Sequence, residues 1–150
     1  MTTDLILAIL HHLLVFALAA IIGAELVLVR PGLKQDTLSL IARIDGFYGV
    51  LAMLIVVVGA GRVVFGLKGW EFYLTYWAFW AKMAAFALVG LLSIQPTIRF
   101  IRWRKAAAAD PSFAVSDAEI RGVRVFLHAE ATAFIFIPTF AAIMARGIGY

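Results

Sequence analysis

Residues 5–29 read LILAILHHLLVFALAAIIGAELVLV. Across these 25 positions the only formal charge is Glu25, and the only other polar side chains are His11 and His12. At about 1.5 Å of rise per residue, a helix of this length covers about 37 Å, more than the ~30 Å hydrocarbon core of a bilayer. No water reaches the backbone there, so a spanning segment must satisfy its own N–H and C=O groups, which a helix does. The stretch therefore predicts a transmembrane helix. Three more runs, 38–65, 77–101 and 119–145, repeat the pattern. The segments between them are short, which places sequential helices antiparallel. The expected fold is all-α, a four-transmembrane-helix antiparallel bundle, with residues 1–150 as one integral membrane domain.

Composition agrees. The chain of 150 residues is 64% apolar and 15% charged, with a mean hydropathy of +0.99. A soluble domain is about half apolar and about a quarter charged, and needs the polar fraction to face water. No Cys is present, which removes disulfides and thiolate chemistry. The net charge of +4 does not point to nucleic acid, because the basic residues flank apolar runs. That is the pattern of membrane orientation signals. The lipid bilayer is the expected partner, in a bacterial inner (plasma) membrane. The N-terminal Met-Thr-Thr-Asp lacks the positive region of a signal peptide, so the first run reads as a retained helix.

Local punctuation marks the helix ends. Pro31-Gly32 closes the first helix and Asp110-Pro111-Ser112 breaks the third loop. Ser116 followed by Glu119 reads as an N-cap with its capping-box acid. Arg30, Lys34, Arg43, Arg99, Arg102, Arg104, Lys105, Arg121 and Arg124 fall on one side of the bundle, and Arg62, Lys68, Lys82 and Arg146 on the other. The richer side is expected in the cytoplasm, with both termini on the non-cytoplasmic side. Trp70, Phe72, Tyr73, Tyr76, Trp77, Phe79 and Trp80 read as an interfacial aromatic belt, with Trp103 as its counterpart opposite. Small residues, among them Gly23, Gly46, Gly49 and Gly59, are expected to set helix contacts. Pro96 and Pro138 are expected to kink their helices.

The polar side chains within the runs form two layers. The first holds His11, His12, Arg62 and Lys82, all roughly 10 Å from mid-membrane toward the termini. One reading has the histidines bonded to backbone or water and the cations snorkelling outward. The other is a tetrapyrrole site. Haem iron takes an axial imidazole, its carboxylates favour Arg or Lys, and its ring favours aromatic walls. His11 or His12 would ligate haem b iron, Arg62 and Lys82 would hold carboxylates, and Phe16, Trp77 and Trp80 would form walls. Helical phase does not choose between the two histidines, since both touch an interior arc. His128 lies in the opposite leaflet, roughly 15 Å from His11 along the normal, so one protomer offers iron one imidazole.

The second layer holds Glu25, Arg43, Asp45, Arg124, His128 and Glu130. It reads either as an ion-paired network, with arginines meeting the carboxylates, or as a proton path or substrate site, or as a partner contact. Membrane-embedded acids and histidines often relay protons. No catalytic constellation is legible.

Several segments carry a resemblance: Leu10-His11-His12-Leu13, Glu25 followed by Arg30, Arg43-Ile44-Asp45, Trp80-Ala81-Lys82, the run 92–97 (LSIQPT) and Ala145-Arg146-Gly147. On these the chain resembles, over nearly its whole length, a bacterial DUF2214-like family of four-helix membrane proteins of unknown function. More distantly it is similar to HemJ-type protoporphyrinogen oxidases and CopD-like membrane proteins. The first likeness implies the fold and no reaction. The second implies a His in the first helix and an Ala-Lys pair in the third, here Ala81-Lys82. HemJ-type proteins carry a His two positions before that Lys, where this chain has Trp80. Three functional classes follow: a haem- or tetrapyrrole-binding or redox-associated membrane protein; a proton-coupled transporter working as a homodimer, with Glu25, Asp45 and Glu130 as coupling acids; and a non-catalytic assembly subunit.

Overall fold

The computed structural model describes residues 2–149 and contains five helices and no strand among them. They are α1 (Thr2–Leu28), α2 (Gln35–Phe65), α3 (Gly69–Thr75), α4 (Trp77–Ala109) and α5 (Asp117–Arg146). The four long ones have the length and hydropathy of membrane spans. Large apolar side chains cover their outward faces: Phe16, Val57, Leu91 and Val125 are each about two-thirds exposed. Such a surface suits lipid and would be a liability in water.

Each long helix packs on two others, in the cyclic order α1, α2, α4, α5. The diagonal pairs α1–α4 and α2–α5 make no close backbone contact. The axis of the bundle is therefore filled by side chains or left hollow. Near the α1–α2 and α4–α5 loops, here the basic end, it is filled. Val29, Ile41, Phe100, Trp103, Ile120, Val123 and Leu127 form the largest apolar cluster there. Trp103 is 3% exposed and packs against Phe100. It is a core residue, not the interfacial anchor expected from its position beside four basic residues. Tyr73 and Tyr76, at the opposite or aromatic end, are also buried, while Trp70, Trp77 and Trp80 remain exposed as a belt requires.

Three helix C-termini borrow a polar side chain from elsewhere in the chain. A helix end leaves its last carbonyls without partners. Gln35, opening α2, donates to Ala107 O at 2.8 Å near the end of α4. Arg124 on α5 donates to Leu26 O and Val29 O at the end of α1. The Tyr76 hydroxyl donates to Ile148 O at 2.7 Å, just beyond α5. α5 also ends on Gly147 with φ of +66°, a left-handed residue that turns the chain back. At its start, Ser116 Oγ accepts from Glu119 N, as the capping-box reading requires.

Two elements depart from expectation. α3 is a separate helical turn pair inside the segment read only as a belt. α4 runs eight residues past position 101, because Arg102-Trp103-Arg104-Lys105 and four alanines are mostly strong helix formers. Pro96 and Pro138 both lie inside continuous helices. The small residues are divided. Gly59 faces His11 and Gly61 faces Leu7, but Gly23, Gly46 and Gly49 have nothing within 4 Å of where a Cβ would stand. Gly46 and Gly49 line an open space between α2 and α4, and Gly23 is exposed, so none of the three sets a close helix contact.

Candidate functional site

The two layers meet different fates. At the aromatic end the hollow axis becomes a cavity of about 350 Å³. Four helices and α3 wall it, mostly with apolar groups such as Ile55, Phe79, Phe86 and Phe134. Three of the expected polar residues line it together: His11 from α1, Arg62 from α2 and Lys82 from α4.

His11 differs from the other two histidines in this setting. His12 Nδ1 donates to Ala8 O, and His128 Nδ1 donates to Arg124 O, each at 2.6 Å and one turn back in its own helix. Both rings are exposed on the bundle surface. The His11 ring points inward, and its Nδ1 is buried without a hydrogen-bond partner. Gly59 makes room for it: a Cβ there would already touch His11 Cε1 at 3.5 Å. A buried polar atom left unpaired costs about 1–3 kcal/mol, so the ring carries an unmet hydrogen-bonding demand beside the cavity.

The cations have no carboxylate either. Among the described residues the one ion pair is Arg99–Glu119, at the other end of the molecule. Arg62 Nε is buried and unbonded. Lys82, Arg62 and His11 lie within electrostatic reach of one another. Tyr73 on α3 adds a phenol whose ionisation burial pushes up, against a smaller opposing effect of Arg62. It stays a neutral hydrogen-bond donor.

Two expected members fall outside. His12 faces outward. Trp80 is 55% exposed, and its Nε1 donates to Leu74 O at 3.0 Å. Neither Phe16 nor Trp77 lines the cavity; both are exposed. The walls come instead from Tyr73, Phe79, Phe86 and Phe134. The spacing of Phe79, Lys82 and Phe86 at i, i+3 and i+7 on α4 could have revealed that wall.

In the second layer the carboxylates come together and the arginines do not join them. Glu25, Asp45 and Glu130 are 2%, 6% and 1% exposed. Glu25 lies within electrostatic reach of both other acids. Arg43 is exposed, and Arg124 is turned to the end of α1. The expected ion-paired network does not form. The neighbours of the acids are neutral: Thr97 Oγ1 donates to Asp45 Oδ1 at 2.7 Å, and the Tyr48 hydroxyl stands near Glu130 and Ser93. Neither Glu130 oxygen makes a hydrogen bond of good geometry, and Glu25 Oε1 makes none.

No curated protein and no solved structure matches this chain. One family model does, and it spans residues 3–149. The match covers all four apolar spans, and the chain is a member of the family described as predicted membrane protein (DUF2214).

Proposed function

We propose that this protein holds a tetrapyrrole of the haem type in the outer cavity, in a bacterial inner membrane, with its basic end in the cytoplasm and its termini outside. The observation that carries the reading is His11: an inward imidazole with an unpartnered nitrogen, beside Arg62 and Lys82, which lack carboxylates. An apolar ring bearing acidic groups complements all three. His11 would be the single axial ligand, Arg62 and Lys82 would hold the carboxylates, and Phe79, Phe86 and Phe134 would flank the ring. Bound iron would supply one-electron chemistry. Trp80 cannot replace the second His of HemJ-type proteins, so a HemJ-type oxidase reaction does not follow.

Titration of the purified protein with ferric protoporphyrin tests this. A red-shifted Soret band should develop in wild type and be lost in His11→Ala. Lys82→Gln should keep the band with about tenfold or weaker affinity, the loss of one charge-assisted contact. Iron-free protoporphyrin should bind wild type and His11→Ala alike. Identical titrations of wild type and His11→Ala with the iron form would refute axial ligation. A second reading, proton-coupled transport by a dimer, draws on one observation: Leu18 and Phe86 line both the outer cavity and a second one between α2 and α4. Ligand-dependent proton flux in proteoliposomes, abolished by Asp45→Asn, would favour it.

A further inference from the structure

The outer-cavity reading leaves the acidic core unused. Its three carboxyl groups come from three helices: Glu25 from α1, Asp45 from α2 and Glu130 from α5. Two of them, Glu25 and Glu130, are at least 98% buried and carry oxygens without partners. Burying an unpaired carboxylate is costly by several kcal/mol even after relaxation. A buried acid is tolerated when a cation, a metal or a proton compensates it.

Every nearby cation is committed or remote. Arg124 serves the carbonyls of α1, His128 is back-bonded and faces outward, and Arg43 and Arg121 are exposed. Arg104 on α4 stands at the rim of the adjoining cavity and is exposed. The groups facing the acids are hydroxyls: Thr97 on α4 beside Asp45, and Tyr48 on α2 beside Glu130, with Ser93 on α4 next to Tyr48. A metal is also unsupported by geometry. Among the described residues, no three His, Cys, Asp or Glu side chains converge as a metal site requires. A proton is the compensation that remains.

Access is built into the same region. A second cavity of about 420 Å³ lies between α2 and α4, lined by Asp45, Tyr48, Ser93 and Thr97. It is far larger than the ~10–15 Å³ a single water needs, and it offers the polar partners a water requires. Gly46 and Gly49 hold one flank open, with nothing within 4 Å of a would-be Cβ. Of the three acids Asp45 lines this cavity, so the group meets the α2–α4 side through Asp45.

We propose that Glu25, Asp45 and Glu130 form a proton-binding site that exchanges with solvent through the cavity between α2 and α4. The site accepts and releases protons as a unit, since one carboxyl's charge is felt by the others. It stands independently of what occupies the outer cavity.

Infrared spectroscopy of the full chain in lipid nanodiscs tests it. At neutral pH a carbonyl stretch of protonated carboxyl groups should be present and shift in D₂O. The other acids, Asp4, Asp36, Glu71, Asp110, Asp117 and Glu119, lie toward the helix ends and loops. Glu25→Gln, Asp45→Asn and Glu130→Gln, each checked for helicity, should each lose part of the band, and the triple variant all of it. Replacing sodium with choline should change nothing. Absence of the band at neutral pH would overturn the proposal, as would a band that appears only when sodium is removed. For the route, Gly46→Leu should slow deuterium exchange into the band without reducing its size. Exchange at the wild-type rate would rule the α2–α4 route out.

Discussion

Arg124 shows how far the arrangement can be tested without any ligand. Its Nη1 donates to Leu26 O at 3.0 Å and to Val29 O, joining α5 to the end of α1. Cations also favour helix C-termini through the macrodipole. A hydrogen bond to a charged group contributes about 1.5–3 kcal/mol, so two set an upper bound near 3–6 kcal/mol. Arg124 is only half-buried, and water near the basic end can solvate the freed carbonyls. The expected loss for Arg124→Gln is therefore about 2 kcal/mol. Reversible unfolding in mixed micelles, titrated with SDS and followed by circular dichroism, measures it. The double variant with Glu130→Gln adds the decisive comparison. If Arg124 serves α1 and not the acids, the two effects add within about 0.5 kcal/mol. A coupling of about 1 kcal/mol or more would restore the ion-paired network. A loss below about 0.5 kcal/mol for Arg124→Gln would deny the cap itself.

Three further outcomes are expected. Ser116→Ala should destabilise by about 1 kcal/mol in the same assay, while Ser116→Asp should not, because either oxygen can accept from Glu119 N. Gly66→Ala should destabilise by about 1–3 kcal/mol, because its Cβ would collide with the Arg62 carbonyl oxygen at the end of α2. In the α4–α5 loop, Ser112 Oγ and N both donate to Asp110 Oδ1, holding that carboxyl below its ordinary range. The loop's contribution is then present above about pH 4 and lost as pH falls through the folded value. Asp110→Asn should flatten the acid limb of the stability–pH curve.

The membrane fold is legible because it depends on length and apolarity, which local sequence carries directly. Runs 5–29 and 38–65 needed no tertiary information. Their exact ends did: α4 continues through four alanines that hydropathy alone does not count as span. The polar sites were legible in depth and not in direction. His11 and His12 are adjacent, 100° apart on a helix, and helical phase alone lets either touch the interior. What separates them is a space opposite, made by Gly59, and a carbonyl at Ala8 that takes up the outward ring. Arg124 was misleading for a similar reason. Charge complementarity pairs it with Glu25 and Glu130, but the carbonyls at the end of α1 lie closer and also need a donor. The aromatic walls of the cavity depended on which rings tertiary packing turns inward, so Trp77 and Trp80 went to the surface and Phe79 and Phe86 to the axis.

The most direct measurement for the account is the visible absorption spectrum of the protein as purified from haem-replete cells, compared with His11→Ala and His12→Ala. A cavity with one inward imidazole predicts a Soret band in wild type and in His12→Ala that is lost in His11→Ala. A colourless wild type, or a band that depends on His12 and survives without His11, would contradict it.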